Sequence, residues 1–200
     1  MRKLVVIALL ALLAAVATGD VTMFNATQQS ALTTIDIVPT WSQLQGHELV
    51  VPDDLITIAA NTEMKFEPAV RLRAIHGLAV YCTTQGVSCP DASPAHDTLA
   101  SLIGANEAAH AGADLLVLRA AIESLGPLEV PGDKPLLVAM LNHPSRDIRA
   151  ATARALADLR NCQAINDLRV RYQNESTDQV KLVISETLRI LSQPNYCLVN

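Results

Sequence analysis

Residues 147–159 read Asp147-Ile148-Arg149-Ala150-Ala151-Thr152-Ala153-Arg154-Ala155-Leu156-Ala157-Asp158-Leu159. On a helical wheel Ile148, Thr152, Ala155, Leu156 and Leu159 share one face, while Arg154 and Asp158 point the other way. The middle of the apolar stripe is built from small residues, which lets a neighbouring helix approach closely. A helix of this kind cannot bury its face alone.

The pattern recurs. An apolar residue, a basic residue, then small residues and a leucine at helical spacing run through Ile148, Arg149, Thr152, Ala155 and Leu156. The same key fits Val70, Arg71, Ala74, Gly77 and Leu78, and also Val180, Lys181, Ile184, Thr187 and Leu188. A weaker copy, without the basic residue, runs through Val117, Leu118, Ala121, Ser124 and Leu125. Successive copies start 47, 31 and 32 residues apart. Periods of about 20–50 residues mark stacked repeat arrays.

With the turn Asn142-His143-Pro144-Ser145-Arg146-Asp147 leading into Ile148-Arg149, the chain resembles the HEAT-repeat family, including its shorter bilin-lyase-like subgroup. The resemblance covers roughly residues 52–192. It implies an all-α fold, a short right-handed α-solenoid of about four HEAT-like helix pairs. The expected helices are 53–63 with 68–81, 96–106 with 112–124, 134–141 with 145–159, and 162–172 with 177–191. Prolines agree with these limits: Pro52, Pro68, Pro94 and Pro135 stand at or near helix starts, and Pro127, Pro131 and Pro194 follow helix ends.

Arg2 and Lys3 precede an apolar run from Leu4 to Val16, followed by small residues up to Gly19. That order predicts a secretory signal peptide over 1–19. Its 13 apolar residues fall short of the ~20 that a spanning helix needs, so no stable membrane insertion is expected after cleavage. The mature protein is expected in the periplasm or secreted. Residues 20–51 read as an N-terminal extension and cap with Thr40 or Ser42 starting a short helix, 52–192 as the repeat domain, and 193–200 as a tethered tail. The single tryptophan, Trp41, is expected in the core.

Half of the residues are apolar, yet only six are aromatic, which suits an aliphatic core of helix on helix. The chain carries 15 basic and 20 acidic residues. This balance excludes a nucleic-acid binder of the usual basic kind. Residues 20–139 sum to −9 and residues 140–200 to +2. Such polarity reads either as ordinary solvated surface or as a surface that orients a partner or a second copy end to end in weak self-association.

Four cysteines in an exported chain form an even set that allows three pairings. The hairpin architecture that the resemblance implies brings Cys162 beside Cys197, and leaves Cys82 and Cys89 bracketing a short loop. The expected disulfides are therefore 82 with 89 and 162 with 197.

Function classes separate less sharply. There is no nucleophile elbow, phosphate loop, zincin motif or dinucleotide fingerprint. Glu107 and His110 lie one turn apart, but a di-iron site needs a matching second copy. His47, His96 and His143 fall in expected turns without ligand spacing, and Asn25 and Asn174 match the glycosylation pattern. Neither a catalytic group, a cofactor nor a metal is expected. Arg71, Arg149 and Lys181 are read as a structural ladder pairing with acids such as Asp147 and Asp178. Opposite the core stripe, the key places His76, Glu123, Arg154 and Glu186 in one column, with Arg119 and Arg189 beside it. A mixed-sign column on the second-helix face suits a protein partner. The expected function is a non-enzymatic protein–protein interaction scaffold of the periplasm or extracellular space, binding on its concave helix face. The alternatives are an accessory lyase or chaperone-like subunit, and a self-assembling envelope protein.

Overall fold

A computed structural model of the chain describes residues 38–45, 50–62, 67–84, 87 and 89–197. The expected signal peptide, most of the N-terminal extension, His47, Asn25 and the last three residues lie outside them.

Among the described residues the chain is all helical. Helix α1 is Trp41–Gln45, α2 Asp53–Ala60, α3 Pro68–Thr83, α4 Pro94–Asn106 and α5 Gly112–Leu125. Then come α6 Lys134–Met140, α7 Arg146–Asp158, α8 Ile165–Asn174 and α9 Asp178–Leu191. Short 3-10 turns at Gly126–Leu128 and Pro131–Asp133 lead into α6, and another at Cys162–Ala164 leads into α8.

Local chemistry sets the helix starts. Thr40 begins α1 with a reciprocal cap: the Gln43 amide donates to Thr40 Oγ1 at 3.3 Å, and the Thr40 amide donates to Gln43 Oε1 at 2.7 Å. Ser93 caps α4 by accepting from the His96 amide, with Pro94 in the first turn. The α4 start is thus two residues before the expected one, because the Ser-Pro pair outranks the apolar pattern as a start signal.

Four hairpins follow: α2 with α3, α4 with α5, α6 with α7, and α8 with α9. The second helices α3, α5, α7 and α9 stack in file and carry the core, in agreement with a short α-solenoid. Ile75, Leu78, Leu118, Ile122, Ile148 and Leu156 are fully buried along this row. Each such side chain stabilises by about 1.5–3 kcal/mol relative to exposure.

Small residues make the stacking tight. A Cβ on Gly126 would lie 2.6 Å from the Ala155 carbonyl oxygen. Thr187 Oγ1 donates to the Ala153 carbonyl of the neighbouring hairpin at 3.0 Å. Ser124 Oγ lies 3.3 Å from His76 Nδ1 in the same relative place between α5 and α3. These lateral contacts put Val117 in register with Val70, Ile148 and Val180, although its copy lacks the basic residue.

Trp41 is half-buried against Tyr81, ring centroids 6.2 Å apart, so α1 leans on the first hairpin. Cys82 and Cys89 stand at disulfide distance with Cα atoms 5.2 Å apart, and Cys162 and Cys197 likewise at 5.7 Å.

Candidate functional site

Helix α7 is buried almost all round, because α5 and α9 flank it and α6 backs it. Along its last three turns only Arg154 and Asp158 are exposed. They open onto a shallow trough between α5, α7 and α9. One depression of about 320 Å³ is lined by Arg119, Arg146, Arg154 and Val183 among others. The next, about 430 Å³, is lined by Arg154, Asp158, Leu182, Val183 and Glu186. Arg154 and Val183 belong to both walls, so the two depressions are continuous.

Most of the charges in this trough are paired with one another. Arg119 Nε donates to Glu123 Oε1 at 2.9 Å, one helical turn away. Arg154 Nη2 reaches the same carboxylate oxygen at 3.8 Å and so bridges α7 to α5. Arg189 pairs with Glu186 on α9. In the depression lined by Arg154, Asp158 and Glu186, Leu182 is 72% exposed, the most solvent-facing large apolar side chain described.

Five of the six expected contact residues therefore gather along α5, α7 and α9: Arg119, Glu123, Arg154, Glu186 and Arg189. The sixth does not join them. His76 is only 9% exposed, its ring laid against α5 beside Ser124. The small serine leaves the space that the imidazole fills. Burial pushes its pKa below the ordinary value, so the ring is neutral filler rather than a surface contact.

At Arg149 and Arg71 the basic ladder is structural, with different partners from those expected. Arg149 is buried and bonds not to Asp147 or Asp178 but to Glu175. Its Nε and Nη2 donate to Glu175 Oε2 and Oε1 at 2.8 and 2.9 Å, and its Nη1 donates to the His143 and Pro144 carbonyls at 2.9 and 2.7 Å. Those carbonyls belong to the turn between α6 and α7, which the guanidinium therefore closes. Glu175 wins because it lies buried in the next turn, whereas Asp147 faces solvent beside Arg146 at 3.7 Å. Arg71 plays the same part in the first hairpin, its Nε donating to the Ala59 carbonyl at 2.9 Å.

His96 is a second departure. Instead of a lone turn histidine, it sits in the first turn of α4 with Nε2 2.9 Å from buried Asp133 Oδ1. On the Nδ1 side Asp97 Oδ1 lies at 3.3 Å and Asp91 Oδ1 at 3.8 Å. Asp91, His96 and Asp97 offer ligand atoms within 4.8 Å of one another, a set that could hold a cation. Asp97 also has a plain role, an acid in the first turn complementing the helix dipole. No motif spacing announces the set, since Asp91 reaches it only through the turn that precedes α4.

His143 stays in its turn, its Nδ1 accepting from the Ser145 amide at 3.0 Å, and its ring lies 6.1 Å from that of His110. Glu107 and His110 are exposed in the turn before α5. A cavity of about 470 Å³ opens between the first two hairpins, lined by Arg71, Leu72, Leu102, Asp114, Leu116 and Val117 among others.

Residues 105–189 match the family model for HEAT repeats, which supports reading the chain as a HEAT-repeat protein. No curated protein and no solved structure matches the chain significantly.

Proposed function

We propose that the protein is a non-enzymatic scaffold, exported to the periplasm or the extracellular space, that binds a protein partner along the trough of α5, α7 and α9. The observation that carries this reading is Leu182. A leucine 72% exposed in the same depression as Arg154, Asp158 and Glu186 is the pattern of an apolar anchor inside a polar rim. The pre-formed trough spares ordering entropy on association. HEAT repeats generally serve as interaction scaffolds, in keeping with the match over 105–189.

The lyase-like alternative needs a reactive thiol. All four cysteines are paired at disulfide distance, which favours the scaffold.

The test is affinity capture from the native envelope fraction with three immobilised proteins: wild type, an Arg154→Glu/Glu186→Lys double variant, and Leu182→Asp. A partner retained by the wild type and lost from both variants supports the reading. Identical recovery by all three assigns binding to another face.

A further inference from the structure

We infer that the cavity between the first two hairpins is a binding site for a carboxylate carried on an aliphatic chain, held by Arg71. This inference is independent of the trough and its partner.

In the third hairpin, Arg149 has its guanidinium gripped by a carboxylate of the following hairpin, Glu175, which stands five residues before Val180. Arg71 holds the same key position in the first hairpin and also bonds a backbone carbonyl of its own hairpin, that of Ala59, but through Nε, the atom that Arg149 gives to Glu175. Five residues before Val117, where the matching carboxylate would stand, the chain has Gly112. Among the described residues nothing lies within 4 Å of where a Gly112 side chain would begin. The one arginine of the ladder that lacks its built-in carboxylate is also the one that lines a cavity of about 470 Å³.

The second hairpin shows that the missing carboxylate is not needed for stacking as such. There Leu118 replaces the arginine, and His143 occupies the place of Glu175, so neither charge is present. Arg71 keeps the basic half of the pair with a following hairpin that lacks the acid, whereas Lys181, in the last hairpin described, has no following hairpin to supply one. A guanidinium presents a planar fork that fits a carboxylate in two parallel hydrogen bonds.

The walls supply the rest of the ligand's chemistry. Leu72, Leu102, Ala105, Leu116 and Val117 line the cavity, and Leu116 is 48% exposed at its edge. Asp114 lines it too and acts on Arg71 through space without a salt bridge to it among the described residues. Asp114 therefore opposes an incoming anion and tunes its affinity. An aliphatic carboxylate puts its head on Arg71 and its chain on the leucines. A cavity of this size is within the ordinary range for small-molecule sites, about 300–1,000 Å³.

The experiment is isothermal titration with octanoate, with octanol as the uncharged counterpart, on the full chain. Wild type is expected to bind octanoate roughly tenfold more tightly than octanol, the value of a charge-assisted bidentate pair. Ala113→Glu, on the cavity wall at the start of α5, supplies an internal carboxylate. It should abolish octanoate binding without lowering the melting temperature. Asp114→Asn should tighten octanoate and leave octanol unchanged. Arg71→Gln should equalise the two ligands, and because that change also removes the bond to Ala59, the Ala113→Glu result decides if Arg71→Gln does not fold. Leu182→Asp should bind octanoate as wild type does. Equal affinity for octanol and octanoate in the wild type, or undiminished octanoate binding by Ala113→Glu, overturns the inference.

Discussion

Arg149 and Glu175 are 26 residues apart and join through two parallel hydrogen bonds of 2.8 and 2.9 Å, with the Glu175 side chain wholly buried. The carboxylate also accepts from the Ser176 and Thr177 amides at 3.0 and 2.9 Å, so it shapes its own turn before α9. Arg171 adds a further donor at 2.9 Å. One ion pair thus closes the turn of one hairpin and anchors the turn of the next. This is how a repeat period in sequence becomes a fixed spacing in space.

Glu175→Gln should destabilise the protein by about 3–5 kcal/mol, the usual result of leaving a buried charge without its partner. The Arg149 hydrogen bonds hold the Glu175 carboxyl far below its ordinary pKa of 4.5, against the opposing effect of burial. A group whose folded pKa is depressed stabilises above its unfolded value and loses that contribution as pH falls. Wild-type stability should therefore fall as pH drops below the ordinary 4.5, and the variant should show a flatter acid limb. Urea melts across this range check both. An unchanged acid limb in the variant would mean that other carboxylates govern acid unfolding.

Two glycines should respond in opposite directions. Alanine at Gly126 would press its Cβ to 2.6 Å from the Ala155 carbonyl and force α5 from α7, a loss of about 1–3 kcal/mol. Alanine at Gly104 meets nothing within 4 Å on the exposed side of α4 and should gain about 0.5–1 kcal/mol from helix propensity. Melting temperatures of the two single variants are enough to decide, and a loss at Gly104 as large as that at Gly126 would contradict the packing described.

Two of the three buried histidines, His76 and His96, should titrate in opposite senses. Burial lowers the His76 pKa from 6.5. Burial also opposes charge on His96, but the Asp133 hydrogen bond and charge outweigh it, and its pKa is raised. His76 therefore stabilises above about pH 6.5 and loses that contribution as pH falls, whereas the His96 contribution is full below about pH 6.5 and is lost as pH rises through its raised folded value. Imidazole ¹⁵N shifts followed across neutrality should show His96 charged while His76 is still neutral. The reverse order would place the two rings in each other's surroundings.

Periodicity made the fold legible. The stripe of Ile148, Thr152, Ala155, Leu156 and Leu159 is buried as the wheel implies, and Arg154 and Asp158 are exposed. What periodicity cannot carry is the pairing of side chains between hairpins. Glu175 gives no helical signal because it stands in a turn, so nothing in the sequence distinguishes it from Asp147 or Asp178 as the partner of Arg149. His76 fits the exposed column by angle, yet a single small residue on the neighbouring helix, Ser124, draws it inward. The His96 cluster was hidden for a related reason: it is assembled from a turn, a helix start and a 3-10 segment 37 residues away.

The last hairpin has a neighbour on one side only, and the tail is what secures it. Cys162 and Cys197 close a ring across 35 residues that contains both α8 and α9. Arg160 adds to the closure, its Nε donating to the Tyr196 carbonyl at 2.8 Å and its guanidinium lying 5.4 Å from the Tyr196 ring centroid. In the loop-entropy model a ring of this size stabilises by about 3–4 kcal/mol, against about 2–3 for the short ring at Cys82 and Cys89. Because a stacked array unfolds from its ends, removal of the larger ring should act locally. Cys162→Ser with Cys197→Ser should raise hydrogen exchange in α8 and α9 while α5 and α7 keep most of their protection. The matching pair of changes at Cys82 and Cys89 should leave α8 and α9 as they are. If the first double variant instead raises exchange evenly from α3 to α9, the hairpins unfold as one unit, and the disulfide stabilises the whole array rather than its end.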